Sequence, residues 1–158
     1  MMTGVVAAAI AATAVLRGAT RRFEIKEDSM VPHLGPGDWV MAWRRTGIPA
    51  RGEIVVFADL DDPGVSLVKR VIGLPGERVE IKDGRVHIDG AILADRWAVG
   101  ATFPDSTSLV PQGCLWVLGD NRGVSASDSR SRGAVPIADI GWKLGFRYWP
   151  RSHIGNVG

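Results

Sequence analysis

The stretch Glu77-Arg78-Val79-Glu80-Ile81-Lys82-Asp83-Gly84-Arg85-Val86-His87-Ile88-Asp89-Gly90 limits most sharply what this chain can fold into. Val79, Ile81, Val86 and Ile88 alternate with polar residues, the period of strands that bury one face. Asp83-Gly84 lies between the two runs, and Asp-Gly is a two-residue hairpin turn because both positions need positive φ. Short apolar runs bounded by Gly, Pro and Asp continue the pattern at Trp39–Trp43, Glu53–Phe57, Leu115–Leu118 and Gly141–Trp149. Residues 30–158 show no long amphipathic helical period and no repeat. Asp59–Gly64 and Ala98–Gln112 read as loops. The expectation is a mainly β domain.

With 158 residues the chain can bury one full core, enough for a single domain and an appendage. Its net charge is +2 and it has no long basic run, so nucleic acid is not expected as a partner. The single cysteine, Cys114, excludes an intrachain disulfide framework. Set beside Leu115, Trp116, Val117 and Leu118, it reads as a buried structural thiol rather than a nucleophile. The three histidines share no ligand spacing, so no metal is expected, and nothing calls for a cofactor.

Residues 1–16, MMTGVVAAAIAATAVL, carry no charged side chain. As a helix they would reach ~24 Å, short of a hydrocarbon core of ~30 Å. A membrane anchor, a secretory signal and a packed helix all fit, and the anchor is the favoured reading. Arg17, Arg21 and Arg22 follow the segment, which by charge bias alone would keep the remainder in the cytoplasm.

Three segments carry chemistry. Asp28-Ser29-Met30-Val31-Pro32-His33-Leu34 follows a charged run and contains a proline, so it reads as a loop displaying a serine. Lys69-Arg70-Val71-Ile72-Gly73-Leu74-Pro75-Gly76-Glu77 sets a lysine at the end of the apolar stretch Val65–Val68. Gly119-Asp120-Asn121 is followed by Ser125, Ser127 and Asp128-Ser129-Arg130. In this order, and with Arg51–Phe57 (RGEIVVF) before the lysine box, the chain resembles the type I signal peptidases (leader peptidases), membrane-bound Ser/Lys serine proteases.

The resemblance runs from about Ser29 to Gly133 and implies a complex β fold of the signal-peptidase kind behind a short N-terminal apolar helix. It makes Ser29 the nucleophile and Lys69 the general base. Asp128 and Arg130 then brace the site, Ser125 (or Ser127) bonds the lysine amine, and Met30 and Pro32 contribute to substrate binding. The implied substrates are preproteins with small residues, Ala-x-Ala, before the cut bond. The implied partners are those preproteins and membrane lipid, with a single-pass anchor and the catalytic domain on the outer side. Residues 1–20 would be the anchor, 21–150 the catalytic domain and 151–158 a tail.

The residues themselves agree. A serine hydroxyl is a poor nucleophile until a neighbouring base takes its proton, and a lysine is a base only when neutral. Burial among groups such as Val68, Val71 and Ile72 would lower the lysine pKa from about 10.4.

Departures from the family pattern are Glu27, where relatives have a small or hydroxyl residue that can help bind an oxyanion, His33 after the proline, and one extra residue between Asn121 and Asp128. His33 with Asp38 makes a Ser/His arrangement a rival. A dedicated maturation protease, a self-cleaving repressor and an inactive binding module are rival functions. Trp39 and Trp43 are candidates for a membrane interface, though on base rates they belong in the core.

Overall fold

The computed structural model describes residues 18–157 and is mainly β. The apolar segment 1–16, and with it the anchor reading, lies outside the described residues. One sheet runs in the order β1 (Thr20–Glu24), β2 (Trp39–Arg44), β11 (Ile140–Trp149), β3 (Ile54–Ala58), β4 (Ser66–Gly73), β9 (Cys114–Leu118) and β10 (Val135–Pro136). The second half of β11 also pairs with β12 (Gly155–Asn156). A smaller sheet runs β7 (Ala91–Ile92), β6 (Arg85–Ile88), β5 (Arg78–Lys82), β8 (Ser106–Leu109).

The hairpin forms as its sequence requires. Lys82 pairs with Arg85, and φ is 51° at Asp83 and 74° at Gly84. Both turn residues therefore take the mirror-image geometry that matches strand twist. Val79, Ile81 and Val86 are buried against Ile72, Val110, Trp116 and Leu118, which joins the small sheet to the large one.

β3 is buried on both faces. Ile54 and Val56 enter the core cluster that holds Met30, Leu34 and Leu144, while Val55 and Phe57 enter the one holding Leu67, Val71 and Leu115. A strand covered on both sides needs the unbroken apolar run that the sequence carries there.

Two expectations are corrected. The segment Ala98–Gln112 is not all loop, because Ser106–Leu109 forms β8, the edge strand beside β5. Its Ser-Thr-Ser-Leu sequence lacks apolar alternation because an edge strand there buries little. Trp39 and Trp43 are not core residues. They are 37% and 41% exposed, on the face of β2 opposite buried Val40 and Ala42. Gly145 on β11 leaves room for the Trp43 ring, which a Cβ there would meet at 2.3 Å. Cys114 is half-buried and packs against the hairpin cluster.

One buried ion pair ties the large sheet to the loops above it. Arg70 on β4 donates from Nε to Asp120 Oδ1 at 2.8 Å and from Nη2 to Oδ2 at 2.7 Å, and from Nη1 to the Gly52 carbonyl at 2.6 Å. Its guanidinium also lies 5.1 Å from the Trp97 ring. Both partners are shielded from water. Bidentate geometry and a satisfied third donor are what a desolvated pair requires. Asp120→Ala leaves the Arg70 guanidinium buried and unpaired, and is expected to cost about 3–5 kcal/mol. Chemical denaturation checks this, and an unchanged midpoint would refute it.

Candidate active site

Ser29 sits in a single 3-10 turn, Asp28–Met30, entered by an extended Glu27. The apolar neighbour of Ser29 holds the turn in place: Met30 is 1% exposed and packs with Leu34 under the large sheet. From above, Asn121 clamps the same turn. Its backbone N–H donates to the Ser29 carbonyl at 3.0 Å and its Nδ2 to the Asp28 carbonyl at 3.2 Å. Asp120 and Asn121, adjacent in sequence, thus grip β4 and the serine turn respectively. Gly119 permits the approach, since a Cβ there would stand 2.3 Å from Ser125 Oγ and 2.6 Å from the Ser29 carbonyl oxygen.

Lys69 comes up from β4, where it pairs with Val55. Strand alternation gives it the same face as Leu67 and Val71, while Val68 and Ile72, expected as its surroundings, belong to the opposite face. The side chain is 2% exposed, and Nζ donates to Ser29 Oγ at 2.9 Å. Burial lowers the Lys69 pKa below the usual lysine range. Asp128, Glu27 and Asp120 pull it back upward, while the Arg130 charge adds to the lowering.

Behind the pair lies a carboxylate with every oxygen engaged. Asp128 accepts from Ser125 Oγ at 2.8 Å, from Arg130 Nε at 2.9 Å and Nη2 at 2.8 Å, and from the Gly119 N–H at 3.2 Å. It also caps the one-turn helix Ser129–Arg132 by accepting from the Arg130 N–H. Burial alone would raise its pKa, but the hydrogen bonds from Arg130 and Ser125 outweigh burial and hold it below the usual carboxylate range. Arg130 reaches on to the Ser125 carbonyl at 2.6 Å and the Phe103 carbonyl at 2.9 Å. Ser129 Oγ accepts the β9 N–H of Val117 at 2.8 Å.

Ser29, Lys69, Ser125, Asp128 and Arg130 are therefore brought together. Ser125 gives its hydroxyl hydrogen to Asp128, so the residue expected at the lysine amine is committed to the carboxylate that attracts that amine. Met30 lines the cleft and Pro32 does not. Pro32 lies in a separate hollow with His33, Arg70 and Trp97. His33 Nδ1 is 3.1 Å from Asp120 Oδ2, and Lys69 rather than His33 contacts Ser29 Oγ.

The cleft, about 350 Å³, runs between the backbone of residues 23–27 and the start of β4 from Val65, with Ser29 and Lys69 among its lining residues. Among the described residues no three His, Cys, Asp or Glu side chains converge on a point that could hold a metal ion. Sequence reasoning missed Arg70. The signal was present in its place beside Lys69 on a strand, which sends the two cations to opposite faces.

Residues 1–149 match the family described as signal peptidase, peptidase S26. The chain is 33% identical over 145 residues to a probable signal peptidase I-1 of Synechocystis, covering 85% of this chain and 74% of that one. It is 34% identical to signal peptidase I of Bacillus caldolyticus (81% and 79% covered) and to signal peptidase IB of Staphylococcus aureus (82% and 78% covered). A crystal structure of a signal peptidase I from Enterococcus faecalis superposes with a TM-score of 0.52 at 33% identity, covering 61% of this chain and 96% of that chain. The chain belongs to the signal peptidase family of serine peptidases, peptidase S26.

The buried lysine has a stability signature. Its pKa is lowered in the folded protein, so in the window between that value and about 10.4 the unfolded chain binds the proton better. Stability from this group accordingly rises with pH across the window. Lys69→Met is expected to be more stable than the parent near neutral pH, with the difference shrinking as pH approaches about 10.4. Thermal unfolding across pH tests this, and a pH-independent difference would refute it.

Proposed function

We propose that this protein removes signal peptides from exported preproteins, cutting after small residues of the Ala-x-Ala type, with Ser29 as nucleophile and Lys69 as general base. The observation that carries the reading is the 2.9 Å contact between Ser29 Oγ and a desolvated Lys69 Nζ, beside an open cleft.

The neutral Lys69 amine takes the hydroxyl proton as Ser29 Oγ attacks the scissile carbonyl carbon. The resulting ammonium passes that proton to the leaving amine as the C–N bond breaks, and the acyl group stays on Ser29. Lys69, neutral again, takes a proton from a water whose oxygen attacks the ester carbon; the C–Oγ bond then breaks, the lysine ammonium returns that proton to Ser29 Oγ, and the acid product leaves and ionises. The backbone N–H of Ser29 is assigned to the oxyanion. Glu27 stands where a hydroxyl donor would help, and a carboxylate cannot stabilise a developing negative charge. Asp128, held by Ser125 and Arg130, steadies the ammonium while it exists.

The substrate lies extended in the cleft, its main chain pairing between residues 23–27 and the first residues of β4. Met30, Leu67 and Val68 line that cleft and leave room for small side chains. Pro32 contributes by shaping the loop that carries Ser29. Residues 1–20 serve as the membrane anchor, its end running into β1 at Thr20, with 21–150 as the catalytic domain on the outer side and 151–158 as a tail whose Gly155–Asn156 folds back onto β11. No helix among the described residues is long and apolar enough to cross a membrane.

Ser29→Ala and Lys69→Ala should each lower peptide cleavage by roughly a thousandfold or more with the fold intact. Lys69→Arg should fail equally, because guanidinium does not become neutral. The rate should rise with pH as Lys69 loses its proton, and His33→Ala should leave that acidic limb in place. Cleavage assays of a short preprotein-derived peptide decide it. Full activity in Lys69→Ala, or loss in His33→Ala equal to that in Lys69→Ala, would sink the dyad.

A further inference from the structure

Residues 59–65 join β3 to β4, and the end of this loop forms part of the cleft, since Gly64, Val65 and Ser66 line it. Inside the loop the hydrogen bonds are local. The Asp59 N–H donates to the Val65 carbonyl at 2.9 Å, the Val65 N–H to the Asp62 carbonyl at 2.8 Å, and the Asp61 N–H to Asp59 Oδ1 at 2.9 Å. Apolar packing adds little, because Leu60 is 78% exposed and Val65 43%. Among the described residues, the ion pairs that leave the loop end on Arg132. Its Nη1 lies 2.8 Å from Asp59 Oδ1, and its Nη2 lies 3.2 Å from Asp59 Oδ2 and 2.9 Å from Asp61 Oδ2. A fork on a carboxylate fixes direction as well as distance. Arg132 ends the one-turn helix that Asp128 caps, and its own N–H donates to the Asp128 carbonyl at 3.0 Å. One turn of helix thus carries two guanidiniums with separate duties. Arg130 holds the Asp128 carboxylate, and Arg132 holds the loop.

We propose that Arg132 is a positioning residue for the outer end of the substrate cleft: its fork onto Asp59 and Asp61 holds Gly64, Val65 and Ser66 where a long extended substrate needs a wall. This rests on the substrate lying between residues 23–27 and the start of β4. Strand geometry sets how far the effect reaches. Val65 precedes Lys69 by four residues, which on an extended chain is ~13 Å. An extended substrate therefore meets Val65 about four residues ahead of the bond that is cut. Shorter substrates end before they reach it. Leu67, nearer the reacting end, lines both the cleft and a small hollow shared with Leu60 and Arg132, so the same guanidinium backs the wall from behind. Without Arg132, Asp59, Asp61 and Asp62 are left as three like charges on one short loop, which favours a spread of loop positions over one. Arg132 bears on how tightly a long substrate is held, and the chemistry at Ser29 is indifferent to it.

The test uses the full chain and two uncharged preprotein-derived peptides that are alike after the cut bond. One begins about three residues before that bond and the other about seven, so that only the second passes Val65. Uncharged peptides keep direct attraction to the loop out of the result. Arg132→Gln is expected to raise KM for the long peptide roughly three- to tenfold, with KM for the short one and kcat for both close to the parent's. The acidic limb of the rate profile should not move. Asp61→Asn alters an exposed carboxylate and should give part of the same rise, adding nothing when combined with Arg132→Gln. Arg132→Lys should recover only part of the loss, because an ammonium keeps the charge and gives up the fork.

Equal losses on the two peptides overturn the proposal, since a weakened fold would produce them. An unchanged ratio of the two KM values overturns it as well, as does an Asp61→Asn effect that adds in full to that of Arg132→Gln. If Arg132→Gln does not fold, the same ratio measured in Asp61→Asn decides the matter. Should the parent cut neither peptide, the peptidase reading has failed and this role falls with it. Where the parent cuts both and the ratio holds in Arg132→Gln, only the role of Arg132 has failed.

Discussion

Everything above the large sheet is located by the bidentate contact between Arg70 and Asp120. Arg70 is fixed in the middle of β4 by pairing on both sides, with Ile54 of β3 and Leu118 of β9. Asp120 begins the turn just past β9, so the ion pair sets where that turn leaves the sheet. The next residue, Asn121, holds the Ser29 turn, and the turn's continuation delivers Ser125 and Asp128. A buried pair of this kind is weak evidence for net stability, because desolvation offsets much of the attraction. Its value here is directional. Two parallel hydrogen bonds admit one orientation of the turn, and three segments far apart in sequence inherit it.

The site then solves an electrostatic problem with opposing parts. Leu67, Val71 and Val55 exclude water from Lys69 and favour the neutral amine. Asp128 favours the ammonium, the form that the proposed mechanism passes through at each proton transfer. Burial alone would push that carboxylate toward its protonated form, and the hydrogen bonds from Arg130, Ser125 and the Gly119 N–H outweigh it. Arg130 in turn adds a positive charge near Lys69, and that favours the neutral base. Burial is the largest of these influences, and the net result is a Lys69 pKa below the usual lysine range. In the proposed role of base, a group that both takes and gives a proton works best with its pKa near the working pH.

Much of this was legible in the residues. The alternation around Asp83-Gly84 specified a hairpin and its register, because the turn and the buried face demand the same pairing. The run Ile54–Phe57 announced a strand covered on both faces. Ser29, Lys69 and the Asp128–Arg130 segment stood out through three boxes whose order resembles the signal peptidases, and the fold brings those residues together. β8 was not legible, since Ser106–Leu109 is ordered by hydrogen bonds to β5 and carries no apolar period. The partner of Arg70 was hidden as well. It lies fifty positions away, and no local pattern marks a pairing that only sheet order creates. Trp39 and Trp43 misled because aromatic residues on a strand suggest burial, and composition says nothing about which face of β2 meets the core.

Lys69 and Arg70 are neighbours on one strand and point opposite ways, one into the site with a proton it can lose, the other into the turn with a charge it keeps. Side chains along a strand repeat every two residues, so a slip of β4 by a single position would exchange them. A permanent cation would then face Ser29, and an amine would be left against Asp120. The Arg70–Asp120 contact and the buried faces of β4 would be lost with it, and the proposed chemistry would be lost too. Chemistry in this protein is thus written in the parity of a strand, and an insertion or deletion of one residue between Ser66 and Lys69 would be read as a frameshift.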